Sequence, residues 1–81
     1  MAELQEYDLV VLLVDAPTMH KVTREPLMLR RGQVGTVLMQ LEEGACLIDF
    51  ADQQGETFAM EVVESTHLLK LIHEPVLAVA S

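Results

Sequence analysis

Four of the chain's five basic residues, Lys21, Arg24, Arg30 and Arg31, fall within eleven consecutive positions. Lys and Arg side chains donate charged hydrogen bonds to carboxylate and phosphate oxygens, so this cluster is the first candidate for chemistry. Residues 15–31 also hold Asp15 and Glu25, which makes the segment +2; the whole chain is −8, and the remainder is therefore −10. Such asymmetry can mark a contact for an acidic partner or a phosphate. The plainer reading is a solvated loop whose cations offset an acidic domain by local pairing. Arg30 and Arg31 stand beside Gly32, where bare backbone would let an anion approach.

His20, His67, His73 and Cys46 are metal-ligand types, but their spacing fits no zinc signature. His67 and His73 would lie roughly 20 Å apart on one strand, at about 3.3 Å per residue. They read as ordinary surface histidines, and no metal is expected. Cys46 alternates with Ile48 and Phe50, which suits a buried structural thiol rather than a nucleophile. Carboxylates are plentiful at Glu42, Glu43, Asp49, Asp52, Glu56, Glu61 and Glu64. Acid–base catalysis needs a pair held in a pocket with separated pKa values, and most of these fall in turns or on a solvent face. No phosphate loop, nucleophile elbow or dinucleotide fingerprint occurs. The aromatics are Tyr7, Phe50 and Phe58, with no Trp, too few for an aromatic groove that grips Pro-rich peptides.

An 81-residue chain makes one domain. A domain of that size buries only about 60% of its unfolded surface, so its stability margin is thin. Hydrophobic residues make up 51% of the chain, a surplus that a partner chain would absorb. The acidic balance disfavours nucleic acid, which is bound by cations that release counterions, and disfavours anionic membrane surfaces. A single cysteine points to a reducing compartment, and the first six residues carry no basic n-region, so a soluble cytoplasmic protein is expected. The longest apolar run, Leu9–Val14, is six residues, far short of the ~20 that span a bilayer.

The elements that must hold these groups are short strands. Leu9–Val14 is strand one, rich in branched residues and without alternation, which predicts that both its faces are covered; a helix is the competing reading. Pro17 and Pro26 interrupt residues 15–31, which read as a long connecting loop with at most one helical turn, its far end pinned by Leu27 and Leu29. The pair Gly32 and Gly35 predicts a turn, then a kink or bulge at the start of strand two, about Gln33–Leu41. Beyond the kink, Val37, Met39 and Leu41 share a face. Glu42-Glu43-Gly44 turns the chain into strand three, about Ala45–Ala51, with Cys46, Ile48 and Phe50 together. Asp52-Gln53-Gln54-Gly55 leads to strand four, about Glu56–Val63, with Phe58, Met60 and Val62 on one face and Phe58 read as core. A 3₁₀ piece near Ser65 precedes a fifth strand at His67–Ile72, with Leu68 and Leu71 facing the core. Val76–Ala80 is an apolar tail, either an added strand or disordered.

Five short antiparallel strands with a long loop after the first describe a small, mainly β, SH3-like barrel whose closure would remove exposed edges. The chain also resembles a family of small bacterial proteins catalogued as a domain of unknown function. The resemblance rests on Asp8 before Val10–Leu13, on Asp15-Ala16-Pro17, and on Gly32-Gln33-Val34-Gly35-Thr36-Val37. It continues through Ile48-Asp49-Phe50 and Asp52-Gln53-Gln54-Gly55-Glu56-Thr57, and it covers about residues 7–71. The loop before Gly32 is several residues longer than that pattern. The resemblance implies a fold and brings no activity, cofactor or catalytic residue with it.

The expectation is one SH3-like domain, with a core over about residues 7–73 and an apolar tail from 74 to 81. It would act as a non-enzymatic protein–protein interaction module, docking on a larger protein or self-associating as a dimer. The expected contacts are Lys21, Arg24, Leu27, Met28, Leu29, Arg30, Arg31, Val76, Leu77 and Val79, together with the first strand. The alternative is an acidic, antitoxin-like partner of a basic protein; a nucleic-acid-binding barrel ranks third. No cofactor and no small-molecule substrate are expected.

Overall fold

Cys46, Ile48 and Phe50 point one way from their strand, and all three are buried. The strand is β5, Ala45–Ala51, which alternates without a break between buried and half-buried positions. In the computed structural model, which describes residues 4–78, it lies next to the edge of an antiparallel sheet. The other strands of that sheet are β1 (Leu9–Leu12), β4 (Val34–Gln40), β6 (Thr57–Glu64) and β7 (Leu68–Lys70). Their order is β6-β5-β4-β1-β7, and every neighbouring pair is antiparallel. The mainly β expectation holds. The sheet has two edges, β6 and β7, and does not close into a barrel.

Residues 15–31 are not a loop. Ala16–Met19 (β2) and Pro26–Leu29 (β3) pair as a two-stranded hairpin, with Pro17 opposite Met28 and Ala16 opposite Leu29. Neither proline breaks a sheet interior here, because a two-stranded ribbon is all edge. Leu29 is 1% exposed and joins the core with Val10, Leu12, Val37, Ile48 and Phe50, so the hairpin covers the inner face of the sheet. Leu27, the other expected anchor, is half-buried. The first strand is shorter than expected and sits between β4 and β7 with both edges paired. Val10 and Leu12 are buried and Leu9 and Val11 half-buried. It is an interior strand and leaves little surface for a partner.

The kink expected at Gly35 is absent, and the bulge lies further on. Val37 pairs with Ile48 and Met39 with Leu47, so Leu38 is the extra residue in β4. An extra residue inverts the alternation of everything after it. Val37 is therefore buried while Met39 and Leu41 face outward, contrary to the expected shared face. Gly35 serves another purpose. A Cβ on it would sit 2.5 Å from Ile48 Cγ2 and 3.0 Å from Phe50 Cε1, so the two β5 side chains occupy the space a side chain would need. Gly32, by contrast, adopts φ +94° in the turn from β3 to β4, a conformation that suits glycine.

The shared face expected in β6 is interrupted at Phe58, and its outward part is Met60 and Val62. Its pairing sets Ala59 opposite Phe50 and Val63 opposite Cys46, so Ala59 and Val63 are the buried residues. Met60 and Val62 are exposed, and Phe58, the extra residue of a second irregularity, is half-buried. A 3₁₀ turn, Ser65–His67, precedes β7 as expected, and Leu68 is buried and Leu71 half-buried. Beyond Leu71 the described chain adds no strand, with Val76 and Leu77 almost fully exposed. Val79, expected as a contact, and the rest of the tail lie outside the described residues.

Gly35→Ala is expected to destabilise the protein by about 1–3 kcal/mol, the usual cost of forcing atoms into a filled site. Urea unfolding followed by circular dichroism reads this as a lower midpoint with an unchanged slope; an unchanged midpoint would contradict the packing described.

Candidate functional site

The hairpin carries all four clustered cations but divides them. Lys21 and Arg24 lie at its tip, between β2 and β3, and Arg30 and Arg31 follow β3 at its base. Four-residue strands at ~3.3 Å per residue separate the two pairs by about 13 Å. All four side chains are exposed. The one ion pair among the described residues is elsewhere, Lys70 to Asp8 at 3.4 Å. The local pairing considered from sequence is therefore not formed at the hairpin.

Both ends are ordered by hydrogen bonds. At the base, Arg31 N–H donates to Asp15 Oδ1 at 2.7 Å and Gly32 N–H to Leu12 O at 2.7 Å. At the tip, His20 N–H donates to Glu25 O and Arg24 N–H to His20 O, both at 2.9 Å. His20 Nδ1 accepts from Val22 N–H at 3.1 Å and from Thr23 N–H at 3.2 Å. That acceptor role places the ring proton on Nε2. Arg24 adopts φ 66°, and Lys21 N–H donates to Phe58 O at 2.7 Å, which ties the tip to β6.

A second tie lies three residues earlier, at Thr18. Thr18 is buried, and its hydroxyl donates to Glu61 Oε2 at 2.6 Å. Glu61 faces inward because it pairs with Ile48, on the same side as Ala59 and Val63. Between the tip and β6 a cleft of about 500 Å³ opens, lined by Thr18, Met19, Lys21, Arg24, Met60 and Glu61. A larger groove of about 630 Å³, lined by Leu4, Leu41, Cys46, Leu68, Leu69 and Ile72, runs beside β7. Burial pushes the Cys46 thiol up, which keeps it protonated and unreactive.

The outer face of β4, β5 and β6 is the feature that sequence reasoning missed. Met39 pairs with Leu47, and Leu47 with Val62, forming one cross-strand apolar row. Met60 lies on the same face opposite Asp49, whose carboxylate accepts from Thr57 Oγ1 at 2.5 Å. Met39, Met60 and Val62 are 48%, 43% and 59% exposed, while Leu47 is half-buried. Met60 belongs both to this row and to the cleft at the hairpin tip. The expected contacts fall on both sides of the surface: Met28 is exposed and Leu29 is core, so Leu29 cannot touch a partner. No group of three or more His, Cys, Asp or Glu is placed to hold a metal among the described residues, and no helix there is long and apolar enough to cross a membrane.

His20→Ala is expected to speed amide exchange at Val22 and Thr23 roughly tenfold, the scale of one ordinary hydrogen bond. Exchange at core amides such as Ile48 would stay unchanged, and nitrogen NMR of the neutral wild-type ring would show its proton on Nε2. Cys46 should resist an aromatic disulfide reagent in the folded protein and react fully once unfolded in urea; fast labelling of the native protein would contradict its burial.

No curated protein and no solved structure matches the chain. A family model described as a domain of unknown function (DUF4926) matches residues 6–70, which include the seven strands of the described residues and the 3₁₀ turns Glu42–Gly44 and Ser65–His67. The chain belongs to that family.

Proposed function

We propose that the chain is a non-enzymatic protein–protein interaction module with an SH3-like architecture. Three features support the architecture: a three-strand meander at the centre of the chain, a first strand flanked by the second strand of the main sheet and by the last strand, and a long hairpin inserted after the first. The arrangement of carboxylates supports a role without catalysis. Asp8, Asp49 and Glu61 are half-buried, but each has a different partner: Lys70, Thr57 and Thr18. Asp49 and Glu61 face opposite sides of the sheet, so they do not converge as an acid and base would.

The observation that carries the reading is the apolar row Met39, Leu47 and Val62 with Met60 beside it. In β6 the outward face carries Met60 and Val62, while the inward face includes the charged Glu61 between Ala59 and Val63. A contiguous exposed apolar patch rimmed by polar groups marks an interaction surface. Fully burying each such side chain is worth about 1.5–3 kcal/mol, while association costs about 4–15 kcal/mol. The row alone therefore makes a weak contact, and a stable complex needs the surface around it as well. The rival role, an acidic regulator of a basic protein, would depend on charge and lose affinity steeply with salt.

Sedimentation over a concentration range, combined with affinity capture from native cells, tests the proposal. A self-associated or captured complex is expected, tolerant of added salt. The double change Met39→Gln and Val62→Gln, which alters no charge, should weaken it by roughly tenfold or more. A strict monomer that retains no protein, or a complex untouched by the double change, would overturn the reading.

A further inference from the structure

The geometry points to the cleft between the hairpin tip and β6 as the binding site for an acidic, aliphatic segment of a protein partner. This inference rests on the interaction-module reading and says what one part of that surface recognises. Lys21 and Arg24 stand exposed at the cleft, and neither is in an ion pair within the described chain. Although the chain has 13 acidic residues, none of those described pairs with these two cations, which leaves them available to a ligand from outside.

The site is ordered before any partner arrives. The His20 ring, the Thr23 hydroxyl and the backbone bond from Lys21 to Phe58 hold the tip, with Glu25 N–H donating to Thr23 Oγ1 at 3.3 Å. Ordering the loop in advance reduces the entropy lost on binding. The two cations supply donors for a carboxylate. Met19 and Met60, each nearly half exposed, supply flexible apolar walls for aliphatic side chains next to it. Glu61 uses Oε2 to accept from Thr18, and its carboxylate gives the cleft an acceptor for a peptide N–H. Met60 joins the cleft to the apolar row, so one partner would meet both without a break.

Charge separates the possible ligands. A nucleic acid would bring a long line of phosphates against a body of −10, with Glu61 inside the cleft. A short acidic segment places its charge only where the cations are. A second copy offering its own acidic body to this cleft would form a head-to-tail contact, which tends to build open chains rather than a closed pair.

The test uses the full chain and a capped hexapeptide of alternating glutamate and leucine, followed by nitrogen–proton NMR and methionine methyl signals at low salt. The expected result is shifts confined to residues 20–25 and to the Met19 and Met60 methyls. Lys21→Glu with Arg24→Glu should weaken the peptide by roughly tenfold or more. Arg30→Glu with Arg31→Glu, the same charge change at the other end of the hairpin, should alter it by less than about twofold. If the first pair of changes disturbs the fold, Lys21→Gln with Arg24→Gln gives the same comparison. Equal losses from both pairs, no peptide shifts, or tighter binding of an oligothymidine at the same salt would each overturn the inference. If the peptide fails while the Met39 and Val62 changes still weaken a complex, the cleft assignment falls and the module reading stands; if no complex forms in any assay, both fall.

Discussion

Ile48 and Phe50 lie across the backbone of Gly35, close enough that a side chain there would force them to shift. That contact locks β4 to β5 at one register, because a one-residue slip would set a side chain under the phenyl ring and turn the core set of β5 to solvent. Val10 pairs with Gly35 from the other side, so the same position aligns β1. Leu12, Val37 and Leu29 then close around Phe50 and Ile48 to complete the core. In a chain of 81 residues the rest of the buried apolar set is small: Leu4, Val10, Cys46, Ala59, Val63 and Leu68.

Once that register is set, the faces of the flanking strands have no freedom. In β6, the residues opposite Phe50, Ile48 and Cys46 must face inward, and these are Ala59, Glu61 and Val63. Met60 is sent outward although it is larger than Ala59, and Val62 is sent outward although it is the same residue as the buried Val63. In β4, the extra residue Leu38 inverts the alternation and sends Met39 the same way. The exposed apolar row is thus a direct consequence of how the core is packed. A charged residue is also brought inside, and the Thr18 hydroxyl gives Glu61 a partner there, which in turn places β2 of the hairpin beside β6.

The cations follow a parallel logic. In sequence they form one cluster, and in space the hairpin holds two pairs at opposite ends. The tip pair shares a cleft with two methionines and one carboxylate, while the base pair stands beside the turn at Gly32. The exposed cations and the apolar row therefore meet at Met60, where the outer sheet face runs into the cleft. In protein interfaces generally, charged rim groups select and orient a partner while the apolar centre supplies most of the affinity, which is the division the proposed surface would use.

Much of the fold was legible in the residues themselves. The alternation of Cys46, Ile48 and Phe50, the turn glycines, and the 3₁₀ step at Ser65 located β5, its neighbouring turns and the approach to β7, because those signals are local. The β2–β3 hairpin was hidden, since its prolines and short strands carry no clear period and its pairing depends on the sheet beneath it. The direction of Met39, Met60 and Val62 was decided by tertiary structure alone. Periodicity states which residues share a face of a strand, but only the pairing with β5 and the inserted Leu38 state which face meets the core.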